Sequence, residues 1–518
     1  MSSTIITPRE YQKNGVNQLI RLLGEGRKRI IFQLPTGGGK TVCFSYFLQR
    51  YFKAYRDHIA KVLVHREELQ AQTYKTFKHF HIDNVPVEMV ETFHNTLKKG
   101  RNLSTQIIII DECHIGNFRK VMDLFPDAII IGFTATPISS TKKIPMNTYF
   151  EAIVVSVQIK ELIALNSEKP DEGLVRAMHY SPETALNRNN IGLKAGDWAL
   201  DQQGIEFSRP KLVDTVVENY IELGEGKKAL IFNTTVDHNE KVNDAFRSAG
   251  FESKTIDASP LKLTDKEYKS KVQKRKEVFE WFSGTPKAIL NNIGIATTGY
   301  DEPSIYNIVV NRMTTSITLW HQMCGRGGRP YFDPIDGIWK THFNIIDLGG
   351  NVATLGPWHM PIDWEQEFYH PAKAGNGVAP MKICPNDKVP LIIGGKPCFE
   401  ADGTQSYRRC GCMIYMSSTK CEYCGYLMPR DVVYSDLILK LQLVPDDLIV
   451  PRNAPITHQK AVKKIADKIN NLPNFNRLEK VGILEQSILK INKQSDIKLP
   501  FSFVIHTANK PENIPYER

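Results

Sequence analysis

Short apolar runs separated by amphipathic stretches recur along the first 350 residues of the chain. The first group of runs comprises residues 30–32, 61–65, 106–111 and 128–133. The second group comprises residues 229–232, 287–292, 306–310 and 342–347. Runs of this length, rich in Ile and Val and followed by polar or glycine-containing sequence, are typical of buried parallel strands joined by helices. The pattern therefore predicts an α/β fold with two doubly wound parallel-sheet lobes in tandem.

The composition changes between and after these two groups of runs. Residues 166–210 are rich in Asn, Gly, Asp, Glu and Pro, which favours a linker or insertion over a lobe core. After Leu348 the sequence becomes rich in Gly, Pro, Trp and His, and cysteines follow. We therefore predict a first lobe over 1–165, a linker over 166–210, a second lobe over 211–350, a connector with a cysteine-containing module over 351–430, and a basic tail over 431–518.

The length and hydropathy of the chain narrow the class of protein to which it can belong. A chain of 518 residues that is 42% hydrophobic can bury several cores. No continuous apolar stretch reaches the roughly 18 residues that a membrane span requires. The first ten residues also lack the basic and then apolar layout of a secretory signal. We expect a cytoplasmic protein that has no membrane partner.

The positive charge of the chain is concentrated towards its end. The formal net charge is +10, and residues 451–518 contain nine Lys and three Arg against two Asp and four Glu. A basic balance favours a polyanionic partner such as nucleic acid. Residues 457–493 place Lys between Ile, Val and Leu at near-helical spacing. This spacing favours one or two amphipathic helices packed on the core over a dedicated DNA-binding arm.

A glycine-rich segment, LPTGGGKT at residues 34–41, follows the first apolar run and precedes an amphipathic stretch. In that context the backbone N–H groups of the glycines can converge on phosphate oxygens at a helix N-terminus. Lys40 would reach the β- and γ-phosphates, and the Thr41 hydroxyl would bind magnesium. The residues expected to contact ATP are Thr36, Gly37, Gly38, Gly39, Lys40 and Thr41. The alternative is a tight turn without a ligand.

An acidic pair follows the third apolar run, in the string DECH that begins at Asp111. Two carboxylates then emerge at the carboxyl end of a buried strand, where open α/β sheets bind ligands. Asp111 suits a contact to the magnesium of the nucleotide, and Glu112 suits polarisation of the attacking water. The alternative, a solvated acidic turn, is disfavoured because a strand and a phosphate loop precede the pair.

The second group of runs carries matching chemistry in two strings. QMCGRGGRP contains Gln322, Arg326 and Arg329 together with glycines that allow close approach. Guanidinium groups are permanently charged and forked, which suits the charge on a transferring phosphoryl group. ATTGYDEP adds Gly299 and Asp301 just after a predicted strand. The catalytic set predicted from these strings is Lys40, Asp111, Glu112, Gln322, Arg326 and Arg329.

The order of these strings resembles that of the superfamily 2 helicases and translocases with a DEAH-type box. The likeness is greatest to the branch related to XPB, to RadD and to UvsW-type phage helicases, and it covers roughly residues 5–350. The matching strings are PREYQ, LPTGGGKT, VLVHREELQAQ, DECH, GFTATP, LIFNTTVDHNEKV, RKEVFEWFSG, ATTGYDEPS and QMCGRGGRP. The resemblance implies two RecA-like lobes with ATP between them and single-stranded nucleic acid across both.

The resemblance also implies individual roles. Gln12 corresponds to the glutamine that recognises adenine, with Arg9 beside it, and Gly299 and Asp301 also face the nucleotide. The residues that would couple the nucleotide to lobe closure are Thr134 and Thr136. The residues that would hold the nucleic-acid backbone are Arg66, Thr92, Thr234 and Thr298, although surface decoration is the alternative for the first two. Cys113 departs from the family pattern without removing a catalytic group.

Four of the nine cysteines lie close together in the string RRCGCMIYMSSTKCEYCGY. They are Cys410, Cys412, Cys421 and Cys424. Two such knuckles can present four thiolates tetrahedrally, so we predict a small zinc-ribbon-like module in a reducing compartment. Reduced, buried cysteines are the alternative. Whether Cys384 or Cys398 joins the ligand set stays open.

These features together favour an ATP-dependent DNA helicase or translocase that acts in replication, recombination or repair. Its expected cofactors are ATP, Mg²⁺ and Zn²⁺, and its expected partners are single-stranded or branched DNA and replication or repair proteins. An RNA helicase and the motor subunit of a restriction or defence assembly remain alternatives. A nucleic-acid-binding protein with an inactive ATPase is disfavoured, because Lys40, Glu112 and Arg326 are all present.

Overall fold

The structure of the protein is a computed structural model. The residues that it describes are 6–65, 67–90, 92–93, 104–115, 119–139, 144–182, 191–194, 196–257, 265–294, 300–370, 381–383, 386–393, 396–400, 402–408, 410, 413–415, 420–421, 424–427, 441–443, 465–471, 480–481, 483–484 and 487–488.

The first lobe is a six-stranded parallel sheet with helices on its faces. Its strands are β1 (Arg29–Gln33), β2 (Ala60–Val64), β3 (Val87–Met89), β4 (Ile107–Asp111), β5 (Ile129–Thr134) and β6 (Ala152–Val155), in the order β3-β2-β4-β5-β1-β6. Its helices are α1 (Glu10–Gly24), α2 (Lys40–Ala54), α3 (Glu67–His79), α4 (Arg119–Leu124) and α5 (Ile159–Glu168). The central strands are buried on both faces, which explains their continuous Ile and Val runs.

The second lobe repeats this architecture. Its strands are β7 (Arg176–Pro182), β10 (Ala229–Phe232), β11 (Ser253–Asp257), β12 (Ile289–Ile293), β13 (Asn307–Val310), β16 (His342–Asp347) and β23 (Leu441–Leu443), in the order β11-β12-β10-β13-β16-β7-β23. Its helices are α6 (Leu200–Phe207), α7 (Pro210–Leu223), α8 (Val236–Ser248), α9 (Asp265–Gly284) and α10 (Ile317–Cys324). The tandem doubly wound lobes predicted from the apolar runs are confirmed.

The segment 166–210, expected to be a linker, contributes to the second lobe. Strand β7 pairs in parallel with β16, and Leu174 and Val175 just before it are fully buried. A short hairpin, β8 (Leu193–Lys194) with β9 (Asp197–Trp198), follows and leads into α6. At the far edge β23 pairs antiparallel to β7, so a strand from the last hundred residues covers this edge of the sheet.

A connecting segment after the second lobe runs back to the first. It contains α11 (Val352–Leu355) and α12 (Trp364–Tyr369). At the second lobe Trp358 packs edge-on against Phe343, with ring centroids 5.4 Å apart. At the first lobe the Gln158 side chain donates a hydrogen bond of 3.0 Å to the carbonyl of Ile362. The segment therefore contacts both lobes.

The described parts of the remaining chain form small elements. The antiparallel pairs are β17 (Met381–Ile383) with β22 (Met413–Tyr415), β18 (Val389–Pro390) with β21 (Tyr407–Arg408), β19 (Ile392–Ile393) with β20 (Lys396–Pro397) and, inside the second lobe, β14 (Phe332–Asp333) with β15 (Ile338–Trp339). In the tail, helical residues bring Ala466, Ile469, Val481, Leu484 and Ile488 into one apolar cluster. Among the helices described, none combines the length and apolarity that crossing a bilayer demands.

Candidate nucleotide site between the two lobes

The loop between β1 and α2 has the backbone geometry of an anion cradle. Gly37 and Gly39 have φ values of 93° and 85°, in the left-handed region that favours glycine. Helix α2 begins at Lys40, and its N-cap residue Gly39 supplies no side-chain hydrogen bond to the first turn. No side chain of the cap residue therefore occupies the amide groups of that turn, where the helix dipole favours a negative ligand.

Two side chains from α1 hold this loop in place. The Gln12 amide nitrogen donates to the carbonyl of Gly38 at 2.9 Å, and the Tyr11 hydroxyl donates to the same carbonyl at 3.0 Å. The backbone N–H of Arg9 donates to the Gln12 side-chain oxygen at 2.8 Å. The Arg9 guanidinium lies 3.7 Å from the Glu172 carboxylate. Residues Arg9 and Gln12, predicted to contact the base, therefore lie next to the glycine loop.

The acidic pair lies at the carboxyl end of β4, where the sequence predicted it. Asp111 is buried, and burial together with the neighbouring Glu112 charge raises its pKa to about 7. The backbone N–H of Glu112 donates to the Asp111 carboxylate at 3.1 Å. Glu112 itself has a φ of 52°, a conformation that a non-glycine residue rarely adopts. Such strain is concentrated at functional sites, and no sequence pattern predicted it here.

Glu112 is the centre of a compact charged cluster. Its Oε1 lies 2.9 Å from Nζ of Lys40, and its Oε2 lies 3.3 Å from Nδ1 of His114. Burial raises the pKa of Glu112, but the neighbouring Lys40, His114 and Arg326 outweigh burial and leave the pKa lowered. Glu112 is therefore ionised near neutral pH. Arg326 belongs to the second lobe, so charges from both lobes lower the pKa of this one carboxyl group.

His114 links the acidic pair to strand β5. Its Nδ1 lies 3.0 Å from the Thr134 hydroxyl oxygen. That hydroxyl donates to the Thr136 carbonyl at 3.1 Å and accepts from the Thr136 N–H at 3.1 Å. Burial lowers the pKa of His114, so the imidazole is neutral at pH 7. Thr134 and Thr136, expected to couple the nucleotide to lobe closure, are both buried beside the acidic pair.

The other nitrogen of His114 faces the second lobe. Its Nε2 lies 3.4 Å from the amide nitrogen of Gln322, which belongs to helix α10. A neutral imidazole can accept from this amide at Nε2 when Nδ1 carries the proton. The contact joins the acidic string of the first lobe directly to the arginine-containing string of the second. His114 is the last residue of the string DECH, and no role was predicted for it from the sequence.

The two arginines of the second lobe lie opposite the glycine loop. A β-carbon built on Gly37 would lie 3.5 Å from Nε of Arg329, and one built on Gly325 would lie 3.1 Å from the β-carbon of Thr36. The Arg326 guanidinium donates to the carbonyl of Tyr300. The Arg329 Nε lies 3.4 Å from the Asp301 carboxylate. The structure thus brings the glycine loop, the acidic pair and both guanidinium groups together.

The remaining predicted residues divide into those that the structure describes and those that lie outside the described residues. Thr92 is exposed in the first lobe. Thr234 is buried, and its hydroxyl oxygen lies 2.8 Å from Nδ1 of His238, so its side chain is not presented to solvent in this conformation. The predicted residues Arg66, Thr298, Gly299 and Cys412, with the open candidate Cys384, lie outside the described residues.

Three cysteines of the predicted metal site come together. The sulfur atoms of Cys410 and Cys421 are 3.7 Å apart, and that of Cys424 lies within 4.8 Å of both. Cys410 and Cys421 are fully buried. Cys398 does not belong to this group among the residues that the structure describes. Three converging thiols are a donor set that zinc prefers.

Comparisons with known families match both lobes. The model of the type III restriction enzyme res subunit matches residues 5–105 and 84–139. The model of the helicase conserved C-terminal domain matches residues 211–331. The matched segments include the glycine loop and acidic pair of the first lobe and the arginine string of the second.

Curated relatives with similar sequences include proteins of different kinds. A Saccharomyces cerevisiae protein named as the ATP-dependent helicase IRC3 is 27% identical over 66% of this chain and 51% of its own length. A 51.5 kDa protein of a Lactococcus phage is 27% identical over 71% of this chain and 76% of its own. The EcoAI type I restriction enzyme endonuclease subunit of Escherichia coli is 25% identical over 66% of this chain and 46% of its own. The chain thus spans about half the length of the yeast and E. coli relatives.

A solved structure has a similar fold. It is the fragment of an HsdR subunit of a type I restriction enzyme from Vibrio vulnificus YJ016, with a TM-score of 0.50 and 19% identity. The similarity covers 72% of this chain and 68% of that fragment. At this level of identity the likeness concerns the fold, and it agrees with the tandem parallel sheets.

Proposed function

Because the chain belongs to the superfamily 2 helicases, we propose that it hydrolyses ATP between its lobes in order to move along or remodel DNA. We propose replication, recombination or repair as the setting. The observation that carries the proposal is a cluster built from both lobes. Glu112 pairs with Lys40 of its own lobe and lies in the field of Arg326 from the other, and His114 beside it contacts Gln322 of that other lobe. A site divided between two lobes makes hydrolysis depend on their closure, which is how a motor converts chemistry into movement.

Each member of the cluster has a role in the proposed reaction. The open amide groups at the start of α2 and Lys40 would bind the triphosphate. Release of Lys40 to the phosphates would free the Glu112 carboxylate to orient the attacking water. Arg326 and Arg329 would stabilise the negative charge on the phosphoryl group in transit.

Magnesium fits the residues that remain. The Thr41 hydroxyl stands in the first turn of α2, and Asp111 is a buried carboxyl whose pKa burial raises. A bound cation favours the ionised form of such a carboxyl. Thr41 and Asp111 would hold Mg²⁺, which neutralises charge on the β- and γ-phosphates.

Lobe closure has a direct structural link to the nucleotide in this proposal. The imidazole of His114 contacts Glu112 on one side and the Gln322 amide of the second lobe on the other. A change in the charge near Glu112 would therefore alter the contact between the lobes. Alternation of that contact would shift the grip of the lobes on a strand.

ATP hydrolysis measured with different nucleic acids tests the proposal. We expect single-stranded or branched DNA to stimulate the wild type, and duplex DNA and RNA to stimulate it less. Lys40→Ala should remove the stimulated rate, because it deletes the main triphosphate contact in the loop. Lys61→Ala is the control, since Lys61 is a first-lobe lysine paired with Glu88 at 2.7 Å. A rate unaffected by any DNA, or stimulated only by RNA, would contradict the DNA assignment.

A restriction or defence motor is a second candidate, and a specific observation favours it. The relatives include the EcoAI endonuclease subunit, and the similar solved fold is an HsdR fragment. In that case the chain would act within a larger assembly. Co-purification from its native cell, followed by identification of stable partners, separates the two candidates. A methyltransferase or nuclease subunit in stoichiometric amount would favour the assembly, and recovery of the chain alone would favour an independent motor.

We also propose that the cysteine cluster holds a structural zinc ion. The ligands would be Cys410, Cys421, Cys424 and Cys412. Metal analysis of protein purified without chelator should find about one zinc per chain, in line with a four-thiolate site. Cys421→Ser should lose the metal, whereas Cys398→Ser should keep it, because Cys398 lies outside the cluster. Absence of zinc from the wild type, or its loss in Cys398→Ser, would contradict this ligand set.

A further inference from the structure

A buried lysine of the second lobe is not part of the nucleotide site. Lys340 follows strand β15 and is 3% exposed. Its ammonium donates to the carbonyls of Pro303 at 2.8 Å, Ile305 at 3.1 Å and Gly327 at 2.9 Å. An ammonium has three N–H groups, so these three bonds use all of its donors.

These three carbonyls belong to two separate segments that carry the arginines and their partners. Gly327 lies in the loop 325–329, between Arg326 and Arg329. Pro303 and Ile305 lie in the segment 300–305. That segment begins with Tyr300, whose carbonyl accepts from Arg326, and Asp301, whose carboxylate faces Arg329. Lys340 therefore joins the loop that bears both guanidinium groups to the segment that orients them.

The lysine is one of several contacts that fix the loop, since the backbone N–H of Val175 also donates to the carbonyl of Gly328 at 2.9 Å. A β-carbon on Gly327 would lie 2.1 Å from the Phe343 ring, so the loop is pressed against the core at this point. Burial, assisted by the nearby charge of Arg329, lowers the pKa of Lys340 to about 7, while Glu302 acts in the opposite direction. Burying a charge is costly, and an apolar side chain would pack here without that cost. The three carbonyl bonds explain why a lysine occupies the position.

We propose that Lys340 is a positioning residue for ATP hydrolysis, which fixes Arg326 and Arg329 opposite the glycine loop without touching the nucleotide. The inference rests on the proposed function, because it concerns the arginines of that same site. It predicts that loss of the ammonium displaces the guanidinium groups and leaves the first lobe unchanged.

Lys340→Met removes the three donors at similar side-chain length. We expect kcat for DNA-stimulated ATP hydrolysis to fall about 100-fold, because small displacements of positioned groups cost that much. The dissociation constant of a fluorescent ATP analogue, measured without DNA, should stay within about twofold, because the phosphate loop belongs to the first lobe. A general folding defect would weaken nucleotide binding as well, so a parallel loss of affinity would overturn the proposal.

Lys227→Met is the matched control. Lys227 lies 4.4 Å from the centre of the Tyr306 ring, and Lys340 lies 5.5 Å from the same ring. The Lys227 ammonium pairs instead with Asp336 at 3.3 Å. Its loss should leave kcat within about twofold, as for an exposed ion pair. An equal loss of kcat in both variants would overturn the specific role of Lys340.

A double-mutant cycle tests whether Lys340 acts through Arg326. If it does, the loss of kcat in the double variant Arg326→Ala with Lys340→Met should be clearly smaller than the product of the two single losses. Independent losses that multiply in the double variant would overturn the proposal.

If Lys340→Met does not fold, Lys340→Gln retains two N–H donors and should give a kcat between those of the wild type and Arg326→Ala. A wild type without stimulated hydrolysis contradicts the proposed function itself, whereas an active wild type matched by an equally active Lys340 variant contradicts this inference alone.

Discussion

The two lobes contain the same strand–loop–helix unit with different chemistry at the helix start. In the first lobe β1 leads to α2, whose N-cap Gly39 has no side chain to fill the first turn. In the second lobe β10 leads to α8, whose N-cap Thr235 accepts a hydrogen bond of 3.3 Å from the N–H of His238. The first helix start is open to an anion, and the second is closed by its own cap. Under the proposed function, the cap residue and not the shared fold would decide which helix start binds phosphate.

The surroundings of the two helix starts differ in charge as well. Beside Thr235 lies a neutral network in which Nδ1 of His238 is 2.8 Å from the Thr234 hydroxyl oxygen and its Nε2 is 2.9 Å from the Asn311 amide. Burial lowers the pKa of His238 to about 3, so the imidazole stays neutral. The corresponding place in the first lobe holds the ion pair of Lys40 and Glu112. In the second lobe the cations Arg326 and Arg329 lie on the loop after α10 and not at the start of α8.

Among changes close to the two helix starts, Glu112→Gln should have the strongest effect. Under the proposed function this change removes the carboxylate that orients water and keeps its shape, so kcat should fall by about 100-fold or more. ATP should still bind, since Lys40 and the open amides remain. Glu88→Gln is the control, because Glu88 also pairs with a first-lobe lysine. Unchanged hydrolysis in Glu112→Gln would remove the assigned role, and steady-state kinetics with equilibrium nucleotide binding provides the measurement.

A smaller effect is expected from Gly39→Ala, which adds a methyl group at the N-cap of α2. The residue has a φ of 85°, and an added β-carbon would lie 2.5 Å from the Gln12 amide nitrogen. We expect ATP affinity to fall by about tenfold, in line with the strain of a side chain in this region. Gly26→Ala has a similar φ of 86° with open space around it, so it should lower stability without changing affinity. Equal affinity in both variants, measured by nucleotide titration, would contradict the role of the open cap.

The smallest effect is expected from Thr235→Ala in the second lobe. Loss of this cap should reduce the free energy of unfolding by about 1 kcal/mol. Nucleotide affinity and kcat should not change, because this helix start does not face the proposed ATP site. Chemical denaturation and the ATPase assay measure the two quantities on one preparation. A large fall in kcat without a fall in stability would show that the second cap has a functional role.

The sequence predicted the sheet cores well because their strands are buried on both faces. The apolar runs at 229–232 and 342–347 coincide with β10 and β16, and the run at 30–32 lies within β1. Strand β7 was missed, and its segment was interpreted as a linker. Its burial alternates along the strand, and polar residues such as His179 and Ser181 interrupt any apolar run. A half-buried strand of mixed composition gives too weak a signal in a single sequence.

The chemistry of the site was also predictable only in part. Three motifs predicted site residues at Lys40, Asp111 and Arg326, and the structure brings these residues together. The left-handed backbone of Glu112 and the contact of His114 with Gln322 arise from tertiary packing, which motif spacing does not encode. No role was predicted for Lys340, because its partners are backbone carbonyls and every residue type has one.

In the proposed function one nucleotide is shared between the two lobes, and the variant Arg326→Ala separates a shared site from a site confined to the first lobe. The measurement is DNA-stimulated kcat for the wild type and the variant, with ATP binding measured in parallel. We predict a fall of about 1,000-fold in kcat, the magnitude of an arginine that stabilises a transferring phosphoryl group, with binding to the first lobe retained. Hydrolysis by Arg326→Ala at the rate of the wild type would contradict the shared site.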